Sequence, residues 1–110
     1  MIVFISGPMS GLPNNNYPAF DAAAERLRSE GHSVVNPAES SRYMMRMLQP
    51  PVATNTYASL ESPTWFDYMG IALSALQAVD AFLQLPGWQN SYGARIEALV
   101  AEKMSLKEIK

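Results

Sequence analysis

Glu97 and Ser91 are the residues whose types and spacing most readily suggest chemistry. They belong to Ser91-Tyr92-Gly93-Ala94-Arg95-Ile96-Glu97, where the pattern predicts a helix from Ser91 to about Met104. Serine is a favoured N-cap, and the N–H groups opening a helix attract phosphate. On this helix Gly93, Ile96, Glu97, Val100, Ala101 and Met104 share one stripe. Glu97 therefore stands inside an apolar face, and burying a lone carboxylate is costly unless it has partners. One reading pairs it, at the stripe edge, with Arg95 or another neighbour. The other aims it into a pocket as a nucleophile or base. Six residues at ~1.5 Å each separate Glu97 from Ser91 by about 9 Å along the axis. A sugar phosphate fits that interval, its phosphate at the helix start and its reacting carbon ~3 Å from the carboxylate.

Ser6-Gly7-Pro8-Met9-Ser10-Gly11 offers glycine backbone and two hydroxyls just after a predicted strand. Such a loop is either an anion-binding concavity or a plain turn. Trp88 is placed to stack on a base or simply to pack. Asp67, close to Trp65, is a candidate to face the same cleft, a solvated helix carboxylate being the plainer reading. His32 follows Gly31 and reads as a surface turn residue, and Met44, Met45 and Met47 read as adaptable packing. No histidine or carboxylate cluster accompanies Glu97, so neither a metal nor a cofactor is expected.

The elements that must position these residues follow from punctuation and periodicity. Ile2-Val3-Phe4-Ile5 is a short apolar run ended by Ser6-Gly7-Pro8, which fits a strand buried on both faces. Asn14 to Asn16 continue the loop, and a helix from Pro18 carries Phe20, Ala23, Ala24 and Leu27 on one face before Gly31 closes it. Val34-Val35 gives a second strand, Trp65 to Leu76 a helix capped by Thr64, Asp80 to Leu85 a third strand, and Leu106 to Ile109 a fourth. Strands alternating with helices predict an α/β three-layer sandwich with a short parallel sheet, flavodoxin/Rossmann-like, as one domain over 1–110. Ligands in that architecture sit beyond the carboxyl ends of the strands. Loops 6–13 and 86–93 leave those ends, and they lie side by side if the first and third strands are neighbours. The connection 40–63, about 24 residues, is long for a small domain and reads as a lid or contact segment.

The chain's 110 residues suffice for one domain with a modest core. Apolar residues make up 48% and charged residues 16%, which argues against disorder. A net charge of −2 gives little electrostatic support for polymeric nucleic acid or a membrane surface. With no cysteine, disulfides, zinc-thiolate sites and thiol catalysis are excluded, and a lone histidine makes a His-dependent triad improbable. No apolar run approaches a membrane span and no signal peptide opens the chain, so a cytoplasmic domain is expected. So little charge on so short a chain also implies that part of the surface is covered.

Ile5-Ser6-Gly7-Pro8-Met9-Ser10-Gly11, Val35-Asn36-Pro37-Ala38-Glu39 and Leu85-Pro86-Gly87-Trp88 with Ser91-x-Gly93-Ala94-x-x-Glu97 resemble a small domain family common in phages and bacteria. That family is similar to nucleoside 2-deoxyribosyltransferases and deoxynucleoside 5′-monophosphate N-glycosidases. The resemblance spans nearly the whole chain except 40–63. It implies that Glu97 attacks the anomeric carbon and displaces the base, and that water or a second base resolves the glycosyl-enzyme. It implies that Ser91 and Gly93 receive a 5′-phosphate, since the nucleoside transferases carry aspartate at the position of Ser91. Gly7, Pro8, Met9, Ser10 and Gly11 would hold phosphate and sugar, and Trp88 would shape the pocket. Two positions depart from the pattern: Ala72 stands where relatives carry an aspartate that binds the base or protonates it, and Phe4 where they often carry tyrosine. Relatives complete their sites with a residue supplied by a neighbouring subunit after the last strand. Here the chain ends at Lys110, and a homodimer is expected. The function so implied is cleavage of the base–sugar bond of a (deoxy)nucleoside 5′-monophosphate. The alternatives are a non-catalytic nucleotide-binding module, a sensor or sequestering protein, and an interaction protein that uses 40–63.

Overall fold

The apolar run at the start forms β1 (Ile2–Ser6), whose last four residues are buried. A strand hidden on both faces belongs in the middle of a sheet. β1 pairs in parallel with β2 (Ser33–Val35) on one side and β3 (Ala81–Gln84) on the other. β4 (Lys107–Ile109) adds in parallel to β3, giving the order β2-β1-β3-β4. This computed structural model describes residues 1–40 and 65–110, with side chains of the second stretch from residue 68 on. The 40–63 lid or contact segment lies, from residue 41, outside the described residues. So do the Met44–Met47 cluster, the Thr64 cap and the side chain of Asp67.

Among the described residues the sheet is covered by α1 (Tyr17–Ser29), α2 (Trp65–Leu76) and α3 (Tyr92–Lys103), and residues 37–40 are helical as well. Successive strand side chains point to opposite faces, and the two halves of the core follow that parity. Val3, Ile5, Ala81 and Leu83 pack with Phe20, Ala24 and Leu27 of α1. Phe4 and Phe82 pack on the other face with Ala72 and Leu76 of α2 and Ala101 of α3. The result is the expected α/β arrangement of three layers around an all-parallel sheet.

The sheet order reverses direction at β1, and the crevice beside such a switch point is where open α/β sheets bind ligands. Ile5 lies opposite Leu83 and Ser6 opposite Gln84, and the Leu85 N–H donates to the Ser6 carbonyl at 2.7 Å. The loops after β1 and β3 therefore emerge together.

Local chemistry explains the boundaries. Asn14, Asn15 and Asn16 hold φ of 53°, 52° and 60° within and just after a 3-10 turn (Pro13–Asn16), a conformation that asparagine tolerates better than most residues. The sequence reading had this stretch as continued loop; it is a compact turn leading straight into α1. Gly31, at φ 94°, ends α1 in a Schellman motif. Its N–H reaches the Arg28 carbonyl and the His32 N–H reaches that of Leu27, each at 3.1 Å.

Candidate functional site

Ser6 is two residues beyond Phe4, so its side chain leaves the same face of β1, the one covered by α2 and α3. On α3 the buried residues are Ala94, Glu97 and Ala101, one per turn. The strand and helix thus bring together the two buried polar side chains Ser6 and Glu97. The Ser6 hydroxyl donates to Glu97 Oε1 at 2.6 Å, the length of a charge-assisted hydrogen bond. Ser6 is 1% exposed and Glu97 8%. Burial pushes the Glu97 carboxyl up to about 7, against a smaller opposing pull from the Ser6 hydrogen bond. Ser6 holds Oε1, and among the described residues no partner holds Oε2.

The pairing of Glu97 with Arg95 is not what forms. The Arg95 guanidinium lies over the Tyr92 ring, 4.7 Å from its centroid, on the exposed side of α3. Glu97 instead turns inward, because the stripe it shares with Ala94 and Ala101 packs on the sheet.

Ser91 is the N-cap of α3: its Oγ accepts the Ala94 N–H at 3.3 Å. The first backbone bond of the helix runs from the Arg95 N–H to the Ser91 carbonyl. Among the described residues the N–H groups of Tyr92 and Gly93, at the helix start, have no partner.

A cavity of about 190 Å³ joins these features. It is smaller than a drug-sized site of ~300–1,000 Å³ and suits a compact ligand. Ser91, Gly93 and Glu97 line it from α3, and Phe4, Gly7, Met9 and Ser10 from β1 and its loop. Tyr17 and Phe20 of α1 and Tyr68, Met69 and Ala72 of α2 complete much of the wall.

Six expected site residues, Gly7, Met9, Ser10, Ser91, Gly93 and Glu97, therefore meet in one place. Pro8 and Gly11 stand outside the described lining and shape the loop. The Pro8 carbonyl accepts from Asn16 Nδ2 at 2.9 Å. Gly11, at φ 83°, takes the glycine position of a turn closed by the Leu12 N–H on the Met9 carbonyl. Trp88 is not in the cavity either. It opens a 3-10 turn (Trp88–Asn90) and lines a separate groove with Ala22, Ala23 and Arg26 of α1 and Glu108 beyond β3. The expectation that it shapes the Glu97 pocket is corrected accordingly: Gly87, at φ 87°, turns the chain toward the α1 layer.

Two contributors were not singled out from the sequence. Ser6 was read only as one hydroxyl in a glycine loop, yet its even register with Phe4 already placed it on the α3 side. Asn36, 2% exposed, ties the β2 exit to α1. Its Nδ2 donates to Asp21 Oδ1 and its Oδ1 accepts the Ala38 N–H, both at 3.0 Å. The Asn-Pro pair after a strand was the available signal. Among the described residues no three histidine or acidic side chains gather as metal ligands, and no helix is long and apolar enough to cross a membrane.

Residues 1–109 match a family model described as Domain of unknown function (DUF4406). No curated protein and no solved structure matches the chain.

Proposed function

We propose that this chain, which belongs to the DUF4406 family, cleaves the bond between base and sugar of a (deoxy)nucleoside 5′-monophosphate, with Glu97 as nucleophile. The observation that carries the reading is a carboxylate held by Ser6 on the wall of a cavity that also contains the start of α3. The 5′-phosphate takes the N–H groups of Tyr92 and Gly93 and the Ser91 hydroxyl. Gly7, Met9 and Ser10 border the sugar. Glu97 Oε2 attacks C1′, the bond to the base nitrogen breaks, and a glycosyl-enzyme forms. Water then frees the sugar phosphate and Glu97, or a second base takes the sugar. Ser6 fixes the carboxylate in the attacking orientation. Only the ionised form attacks, and burial holds the carboxyl up to about 7, so the attacking form grows as pH rises through the neutral range.

The purified protein is incubated with each deoxynucleoside and ribonucleoside monophosphate, and free base is read by chromatography. Release that disappears in Glu97→Ala supports the reading. No release from any nucleotide overturns it.

A second reading, a nucleotide-binding module without turnover, draws on Ala72, an apolar residue on the cavity wall where a protonating group would be useful. Calorimetric binding of a mononucleotide with no product would select it. Either activity is assigned to a cytoplasmic homodimer.

A further inference from the structure

Four aromatic rings, Phe4, Tyr17, Phe20 and Tyr68, line the Glu97 cavity. Glu97 is the one charged side chain in its described lining. Aromatic faces carry negative charge density and attract delocalised organic cations, most strongly when water is excluded. A wall with aromatic side chains and a single carboxylate, and with no described lysine, arginine or histidine, favours a positive ligand. The same wall bears on catalysis. A neutral base leaves C1′ easily only if it is protonated as it departs. Apart from Glu97, the described lining holds no carboxylic acid or imidazole to do this, only the phenols of Tyr17 and Tyr68, which are weaker acids, and Ala72 is a methyl group.

We infer, building on the glycosidase reading above, that the preferred nucleotide carries a base that is already cationic. The class is a quaternary N-glycoside 5′-monophosphate, such as an N-ribosyl pyridinium or a ring-alkylated purine. Its chemistry needs no acid. Glu97 Oε2 forms the bond to C1′ as the C1′–N bond breaks, and the electron pair returns to the ring nitrogen, which leaves neutral. Water then adds to C1′, Glu97 departs as carboxylate, and one proton passes to solvent. The rings and Glu97 hold the cationic base while the start of α3 holds the phosphate at the other end of the molecule.

Two matched pairs separate charge from shape. Nicotinamide mononucleotide is compared with its reduced, uncharged form, and N7-methylguanosine monophosphate with guanosine monophosphate. Base release from the cationic member at least about a hundredfold faster, the size of a general-acid contribution, supports the inference. Equal or faster release from the neutral members overturns it and leaves the glycosidase reading standing. If none of the four is cleaved while another nucleoside monophosphate is, the inference fails and the glycosidase reading stands; if no nucleotide at all is cleaved, the glycosidase reading fails and calorimetry decides the cation preference alone. Cationic members binding about thirtyfold tighter support it; equal binding, or none, overturns it. In Glu97→Gln the ratio of cationic to neutral affinity should fall towards one, and a ratio unchanged from wild type overturns the inference. A loss common to both would mark a collapsed cavity and count against the inference.

Discussion

At the residue scale the protein's chemistry rests on one carboxyl group that folding pushes up to about 7 from 4.5. Between those values the folded chain binds more protons than the unfolded one, so stability falls as pH rises through that window. The Glu97 contribution alone is most favourable below pH 4.5, and its cost above pH 7 approaches about 3 kcal/mol at ~1.4 kcal/mol per pH unit. Glu97→Gln keeps the shape and removes the charge. Denaturant unfolding should find it about as stable as wild type near pH 4.5 and more stable above pH 7, by up to about 3 kcal/mol. Catalysis runs the other way, since base release should rise with pH through about 7 as Glu97 ionises. The Ser6 hydrogen bond favours the ionised form. Ser6→Ala should therefore move that rising limb upward by about one pH unit, because hydrogen bonds to charged groups contribute ~1.5–3 kcal/mol.

At the element scale α3 has to be capped and its start has to face the loop after β1. Serine and aspartate are comparable N-caps, but aspartate repels phosphate. Ser91→Asp should unfold within about 0.5 kcal/mol of wild type and lose nucleotide affinity about tenfold or more. Ser91→Ala should instead cost about 1 kcal/mol of stability. The loop has its own steric requirement. A Cβ on Gly7 would stand 2.7 Å from Leu85 Cβ, where the exits of β1 and β3 touch. Gly7→Ala should destabilise by about 1–3 kcal/mol, as overpacking does, and lower the thermal midpoint in calorimetry.

At the scale of the whole molecule the low charge leaves apolar groups facing water. Tyr92 is 74% exposed, Leu99 56% and Ile71 45%, all on the two helices of one layer. The proposed homodimer would cover part of this apolar surface. Light scattering at micromolar concentration should give twice the chain mass, and a monomer would contradict the homodimer. The cavity is a property of the whole in a stricter sense, since β1, α1, α2 and α3 each supply part of its wall.

How much of this was legible in the chain depended on the range of the interaction. β1 was readable because a continuous apolar run between breakers has few other uses, and the Ser91 cap because its bond closes within three residues. The α1 terminus followed from Gly31 for the same local reason. The stripe on α3 set Glu97 within an apolar face, but its partner lies 91 positions away. Two readings, Arg95 or a pocket, therefore stayed open until the sheet order put β1 under α3. Trp88 was misassigned for a related reason: its type suggested stacking, while the side of the sheet it reaches is set by the turn at Gly87. Sequence alone determined the alternation of elements, the Ser91 cap, the Gly31 stop and the place of Glu97 on an apolar stripe, all consequences of local backbone chemistry and periodicity. Only tertiary structure decided that Ser6 holds the carboxylate, which side chains share its cavity and how far the carboxyl group is shifted, because those depend on contacts between strands and helices distant in the chain.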